Sequence, residues 1–144
     1  MRRHDALIPL SHDHHHALVQ VRRLKSAADS SDESRMEAAR AFLDFFRHDT
    51  LGHFRQEEEE VFPLGVDSPE LRETLSQVMF EHLRIHKLVL DLKQEVDNDA
   101  VGRDRMLQLA TVLEGHIRFE EKDVFPEIER VAADVLDEAV LTNR

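Results

Sequence analysis

The chain has 144 residues, no cysteine and a formal charge of −11 at neutral pH. That length is one domain's worth and enough to bury a core. The missing thiols exclude disulfides, iron–sulfur ligation and thiol catalysis, and the acidic balance repels phosphate backbones, so no nucleic-acid partner is expected. Apolar residues are 41% and charged residues 34%, while Gly and Pro number four each. So few turn formers argue against an all-β fold, and the supply of Leu, Ala, Glu and Arg favours helices. No stretch approaches the ~20 apolar residues of a membrane span. The opening MRRHDALIPLSHDHHH lacks the apolar run of a signal peptide. A cytoplasmic protein without membrane contact is therefore expected.

In chain order, a first helix is predicted from about Ser11 to Ala28, with Ser11 and Asp13 offering caps. A second starts near Ser34 and runs to Glu60 or Val61, where Pro63 stops it. Ser68, Pro69 and Glu70 open a third, which reaches about Val96. A fourth covers roughly Arg103 to Val124, broken by Pro126. A short last helix spans about Ile128 to Leu141. Four long helices with short connections predict an all-α, up-down-up-down four-helix bundle with a short C-terminal extra helix. The expectation is a single domain over 1–144, with the bundle over about 10–126 and the extra helix over about 128–141.

One phrase is written twice. HFRQEEEEVFP occupies residues 53–63 and HIRFEEKDVFP residues 116–126, with seven of eleven positions identical. The second and fourth helices thus end alike, as expected for two helical hairpins related by a pseudo-two-fold axis.

Helical residues lie 100° apart, so the apolar stripe of each helix locates its histidines. Leu75, Val78, Ile85, Val89 and Leu92 define the third stripe, and His82 and His86 fall inside it. On the second helix Phe42, Phe45 and Phe46 lead to Asp49, His53, Glu57 and Glu60. On the fourth, Leu109, Val112 and Leu113 lead to His116 and Glu120. On the first, Leu7, Leu10, Ala17, Leu18, Val21 and Leu24 select His14. His15 lies at the stripe's edge, and His12 comes into reach if the helix starts with a different rotation. A buried Glu is costly unless paired or metal-bound. A plain His–Glu hydrogen-bond network is the bland alternative, but five histidines and two glutamates converging in one core point to metal. Mixed nitrogen and oxygen donors from four helices suit a dimetal centre. Five imidazoles, two carboxylates bridging both metals and one bridging oxygen would fill eleven of the twelve positions on two six-coordinate ions. One position would stay open for a small ligand.

These residues resemble the hemerythrin-like family, also called the HHE cation-binding domain, in its bacterial single-domain form. The resemblance rests on Asp13-His14, on HFRQE at His53–Glu57, on EHLRIH at Glu81–His86, on HIRFE at His116–Glu120, and on the two EE…FP endings. It implies a non-haem di-iron centre, oxo- or hydroxo-bridged, with His14, His53, His82, His86 and His116 as ligands and Glu57 and Glu120 as bridges. Zn or Mn can also occupy such a site in a purified sample. Oxygen-carrying members have an Asp five residues after the last His. Here that position is Glu121, while Glu120 keeps the four-residue spacing of bacterial HHE proteins. This favours the broader bacterial group, whose members handle oxygen, nitric oxide or peroxide, or take part in iron repair.

The function expected is binding of O2, NO or peroxide for sensing, storage or scavenging. Peroxide- or NO-consuming catalysis and iron donation or repair are the alternatives. Glu60 and Asp123, equivalent across the repeat, are candidates to hold ligand rings. The bundle consumes the chain, so sensing would need a separate protein partner. The amphipathic C-terminal stretch either packs on the bundle, through Ile128, Val131, Val135 and Leu136, or mediates a homodimer.

Overall fold

A computed structural model describes residues 2–139 and 141 of the chain. The described residues are helical with no strand. After a 3-10 turn at Asp5–Leu7, helix α1 runs over Ile8–Ala28. The second rod comprises α2 (Asp32–Phe45), a π turn (Phe46–Thr50), α3 (Leu51–Gln56) and a second π turn (Glu57–Val61). A 3-10 turn at Phe62–Gly65 leads to α4 (Pro69–Asp97), the third rod. The fourth comprises α5 (Arg103–Phe119), a π turn (Glu120–Val124) and α6 (Phe125–Val131), followed by the short α7 (Ala133–Glu138).

The helix starts follow local chemistry. Ser31 caps α2 by accepting from the Ser34 backbone N–H at 3.1 Å, with Asp32 and Glu33 in the first turn. Pro9 and Pro69 sit in the first turns of α1 and α4, where a missing N–H leaves no helical bond unmade. Helix α1 packs against α2 and α5, and α4 packs against the same two. Short connections make consecutive rods antiparallel, so the up-down-up-down bundle expected from the sequence is the architecture observed.

Several boundaries differ from expectation. Helix α1 begins at Ile8, three residues before Ser11, so neither Ser11 nor Asp13 caps it. Ser68 stands at the N-cap of α4 without a side-chain capping bond. Pro126 does not break the fourth rod. It lies in the first turn of α6, directly after a π turn, where its fixed φ suits the helix. The C-terminal helix is two pieces, because Ala132 leaves the helical region (φ −121°, ψ 26°). That break turns Val135 out to solvent, while Ile128 and Leu136 are buried. Helix α7 ends at Glu138, and residue 140 of the expected helix lies outside the described residues.

Apolar packing falls into two clusters. One fills one end of the bundle and includes Val21, Leu24, Phe42, Phe46, Ile85, Leu92 and Leu109. The other fills the opposite end and includes Leu7, Leu10, Phe62, Leu71, Val78, Phe125 and Ile128. The buried histidines and the two buried glutamates occupy the level between these two plugs.

Candidate metal centre

Every rod delivers a histidine to that level. His14 on α1, His53 on α3, His82 on α4 and His116 on α5 are all buried, and Glu57 and Glu120 have no exposed surface. Each glutamate opens a π turn, one helical turn past its own histidine. Single π turns inside helices recur at functional sites, because the extra residue re-aims the following side chains.

The six side chains form two overlapping groups. In the first, ligand atoms of His14, His53, Glu57 and Glu120 lie within 4.8 Å of one another; in the second, those of Glu57, His82, His116 and Glu120 do. Both glutamates are common to both groups. Glu120 Oε1 lies 3.0 Å from His14 Nε2 and 3.2 Å from His116 Nε2. Glu57 Oε1 lies 3.3 Å from the Nε2 atoms of both His53 and His82. Phe54 stacks on the His82 ring at 3.8 Å between centroids, and Phe125 stacks on His14 at 5.6 Å. Aromatic faces thus close the site from both ends.

The outer edge of each imidazole is held by a carboxylate. His14 Nδ1 meets Glu121 at 2.6 Å and His53 Nδ1 meets Asp13 at 2.9 Å. His82 Nδ1 meets Glu58, and His116 Nδ1 meets Glu81, both at 2.7 Å. An ionised carboxylate only accepts, so Nδ1 is the donor in each pair and Nε2 faces inward. A carboxylate behind an imidazole fixes its tautomer and raises its basicity as a metal ligand.

The donor set fits a cation. Buried polar atoms are nearly always hydrogen-bonded. Here Nε2 of His53, His82 and His116, both oxygens of Glu57 and Oε2 of Glu120 are buried without a hydrogen-bond partner. These orphaned atoms are the ones that converge. Without a cation, protons take over part of that task. Burial works to lower the pKa of His116, but the neighbouring charge of Glu120 pushes it up to about 10. Burial likewise opposes charging of His14 and His53. Bonds to Glu120 and Glu121 nevertheless raise His14, and Glu57, Asp13 and Glu120 raise His53 well above the ordinary value. Burial pushes Glu120 the other way, yet the charge of the neighbouring His116, with the bond from His14 at 3.0 Å, holds it well below the usual carboxylate range. An anionic core that attracts protons this strongly attracts metal cations by the same field.

Not every residue proposed from the sequence joins the cluster. His86, one turn beyond His82, belongs to neither group. Its half-buried ring packs edge-on against Phe46 at 5.5 Å and Phe54 at 5.8 Å. Among the alternatives on α1, His14 is buried while His12 and His15 are exposed. Asp49 is exposed and Thr50 is buried in its stead, because the π turn at Phe46–Thr50 slips the stripe by one residue. Of the residues holding the imidazoles, sequence reasoning selected none. It named Glu60 and Asp123, of which Asp123 is exposed. The signal was adjacency: Asp13, Glu58, Glu81 and Glu121 each neighbour a converging residue in the chain.

Among the described residues, no helix is long and apolar enough to cross a membrane. Compared with curated proteins and with solved structures, the chain shows no significant match. The model of the hemerythrin HHE cation binding domain matches residues 6–128, and with its buried His/Glu cluster this chain belongs to that family of metal-binding proteins.

Proposed function

We propose that the protein is a non-haem di-iron protein that binds a small molecule, O2, NO or peroxide, for sensing, storage or scavenging. The observation that supports it is the sharing of Glu57 and Glu120 between two ligand groups. Two groups with common carboxylates suit a pair of neighbouring cations better than one. His14 and His53 would hold one ion, His82 and His116 the other, and the two glutamates would bridge them. Iron bound there would supply redox-active, Lewis-acidic positions for a diatomic or peroxide.

The chain's own residues shape what those positions can do. Four imidazoles against two carboxylates make a nitrogen-rich donor set, whereas ferritin-like di-iron sites draw a glutamate from each of four helices. The nitrogen-rich set suits reversible binding over oxygen activation. The apolar plugs above and below close the site along the bundle axis.

The test is metal analysis of protein produced with iron, paired with optical spectra of the reduced protein before and after exposure to air. About two irons per chain, with new charge-transfer bands on oxidation, is the expected result. A band that reverses when O2 is removed favours storage; irreversible oxidation favours sensing or NO and peroxide chemistry. Protein that takes up no iron after reconstitution overturns the proposal.

A further inference from the structure

The four outer carboxylates form a closed cycle around the bundle. Asp13 on the first rod holds His53 on the second, and Glu58 on the second holds His82 on the third. Glu81 on the third holds His116 on the fourth, and Glu121 on the fourth returns to His14 on the first. Each rod therefore presents one imidazole to the preceding rod and one carboxylate to the next. All four carboxylates are about a third exposed, with side-chain accessibilities between 26% and 32%. The cycle marks the boundary between the buried donors and water.

Its links are of two kinds. Asp13 follows one ligand group throughout: its neighbour in the chain is His14, and its target is His53, both in the first group. Glu81 does the same for the second group, next to His82 and bonded to His116. Glu58 and Glu121 cross between groups. Glu58 shares a rod with His53 of the first group and holds His82 of the second. Glu121 shares a rod with His116 of the second and holds His14 of the first. These two also follow directly after Glu57 and Glu120, on the same π turns as the residues common to both groups.

We propose that Asp13 and Glu81 are positioning residues for one ion each, whereas Glu58 and Glu121 position both ions together. This rests on reading the cluster as a two-ion centre. The physical reason lies in what each link moves. Losing the Asp13 or Glu81 bond frees one ring and leaves the π turns and their shared carboxylates in place. Losing the Glu58 or Glu121 bond frees a ring of one group and also removes a link beside a carboxylate belonging to both, although Glu121 still accepts from Ser11 and Arg3. Outer partners of this kind typically contribute 10–100-fold to metal affinity.

The experiment is Co2+ titration of the full-length, metal-stripped chain. Visible absorption is followed together with the ions bound per chain, for the wild type and for Asp13→Asn, Glu58→Gln, Glu81→Gln and Glu121→Gln. Amides keep the shape of the carboxylates, and each site borders water, so the bundle is expected to fold. Circular dichroism checks that, and the two members of each pair stand in for one another if one fails. The expected result is two Co2+ per wild-type chain. In D13N and E81Q one stepwise constant weakens by about 10–100-fold and the other stays within about threefold. In E58Q and E121Q both constants weaken by tenfold or more. Four variants that behave alike, whether losing one constant or both, overturn the proposal and leave the two-ion reading standing. A wild-type chain that binds fewer than two Co2+ overturns both.

Discussion

The two glutamates without exposed surface, Glu57 and Glu120, are the residues on which the centre turns. Glu57→Ala or Glu120→Ala should lose one or both metals while the bundle still folds, because both apolar plugs stay intact. Metal per chain and helical content, measured on the same sample, check this; a variant that keeps two metals contradicts the assignment. The same residues set a pH dependence. In the metal-free protein His116 is pushed up to about 10 from 6.5, so its contribution to stability is complete below pH 6.5 and is lost as pH rises through about 10. Glu120 has the opposite sign: held below its ordinary 4.5, it contributes above that pH and loses its contribution as pH falls through the depressed value. Metal-free protein should therefore melt highest between about pH 4.5 and 6.5 and progressively lower toward pH 10. Metal affinity should climb over the same alkaline range, since an ion must displace the imidazolium protons. Melting curves and competition titrations across pH measure the two trends, and a melting temperature that rises toward pH 10 would contradict the first. Elsewhere charge matters less: Arg55 and Arg118 meet Glu59 and Glu114 at 3.8 Å on the surface, and such pairs contribute little.

At the scale of elements, the π turns decide which side chains face inward. Spacing alone places Asp49 on the stripe of the second rod. The inserted residue at Phe46–Thr50 instead turns Thr50 inward and restores the phase in time for His53 and Glu57. The turns at Glu57–Val61 and Glu120–Val124 then carry each rod from the polar level into the lower plug, burying Val61 and Val124. Phe54, on the short helix between two such turns, is buried and stacked on His82. Phe54→Ala is expected to cost about 3–5 kcal/mol of stability and to weaken metal binding, because the His82 ring loses its wall. Denaturant unfolding of the metal-free and metal-loaded variant separates the two effects. Ser31→Ala removes the cap of α2 far from the centre and should cost about 1 kcal/mol with metal stoichiometry unchanged.

For the whole molecule, the polar level is a seam between two hydrophobic clusters, and its unpartnered donors suit a cation. Metal that binds only the native bundle stabilises it by mass action, by about 2.7 kcal/mol at a free concentration one hundred times Kd. Metal-loaded protein should accordingly melt higher than metal-free protein, by an amount that grows with free metal; equal melting temperatures at saturation would contradict this. The sequence by itself determined the four rods, their antiparallel order and the inward face of His14, His53, Glu57, His82, His116 and Glu120. Those features depend on local propensity and on a 3.6-residue period that each segment carries alone. Tertiary structure decided the rest. His86 shares the stripe of His82, yet the packing of Phe46 and Phe54 takes it up one turn away from the cluster. Asp13, Glu58, Glu81 and Glu121 look like ordinary polar neighbours in the chain, and each acquires its role only from a histidine on another rod, between 24 and 107 residues distant. A period reports which face a residue occupies on its own helix. It carries no information about which side chain on the next helix will meet it, and that meeting is what holds the four imidazoles in place.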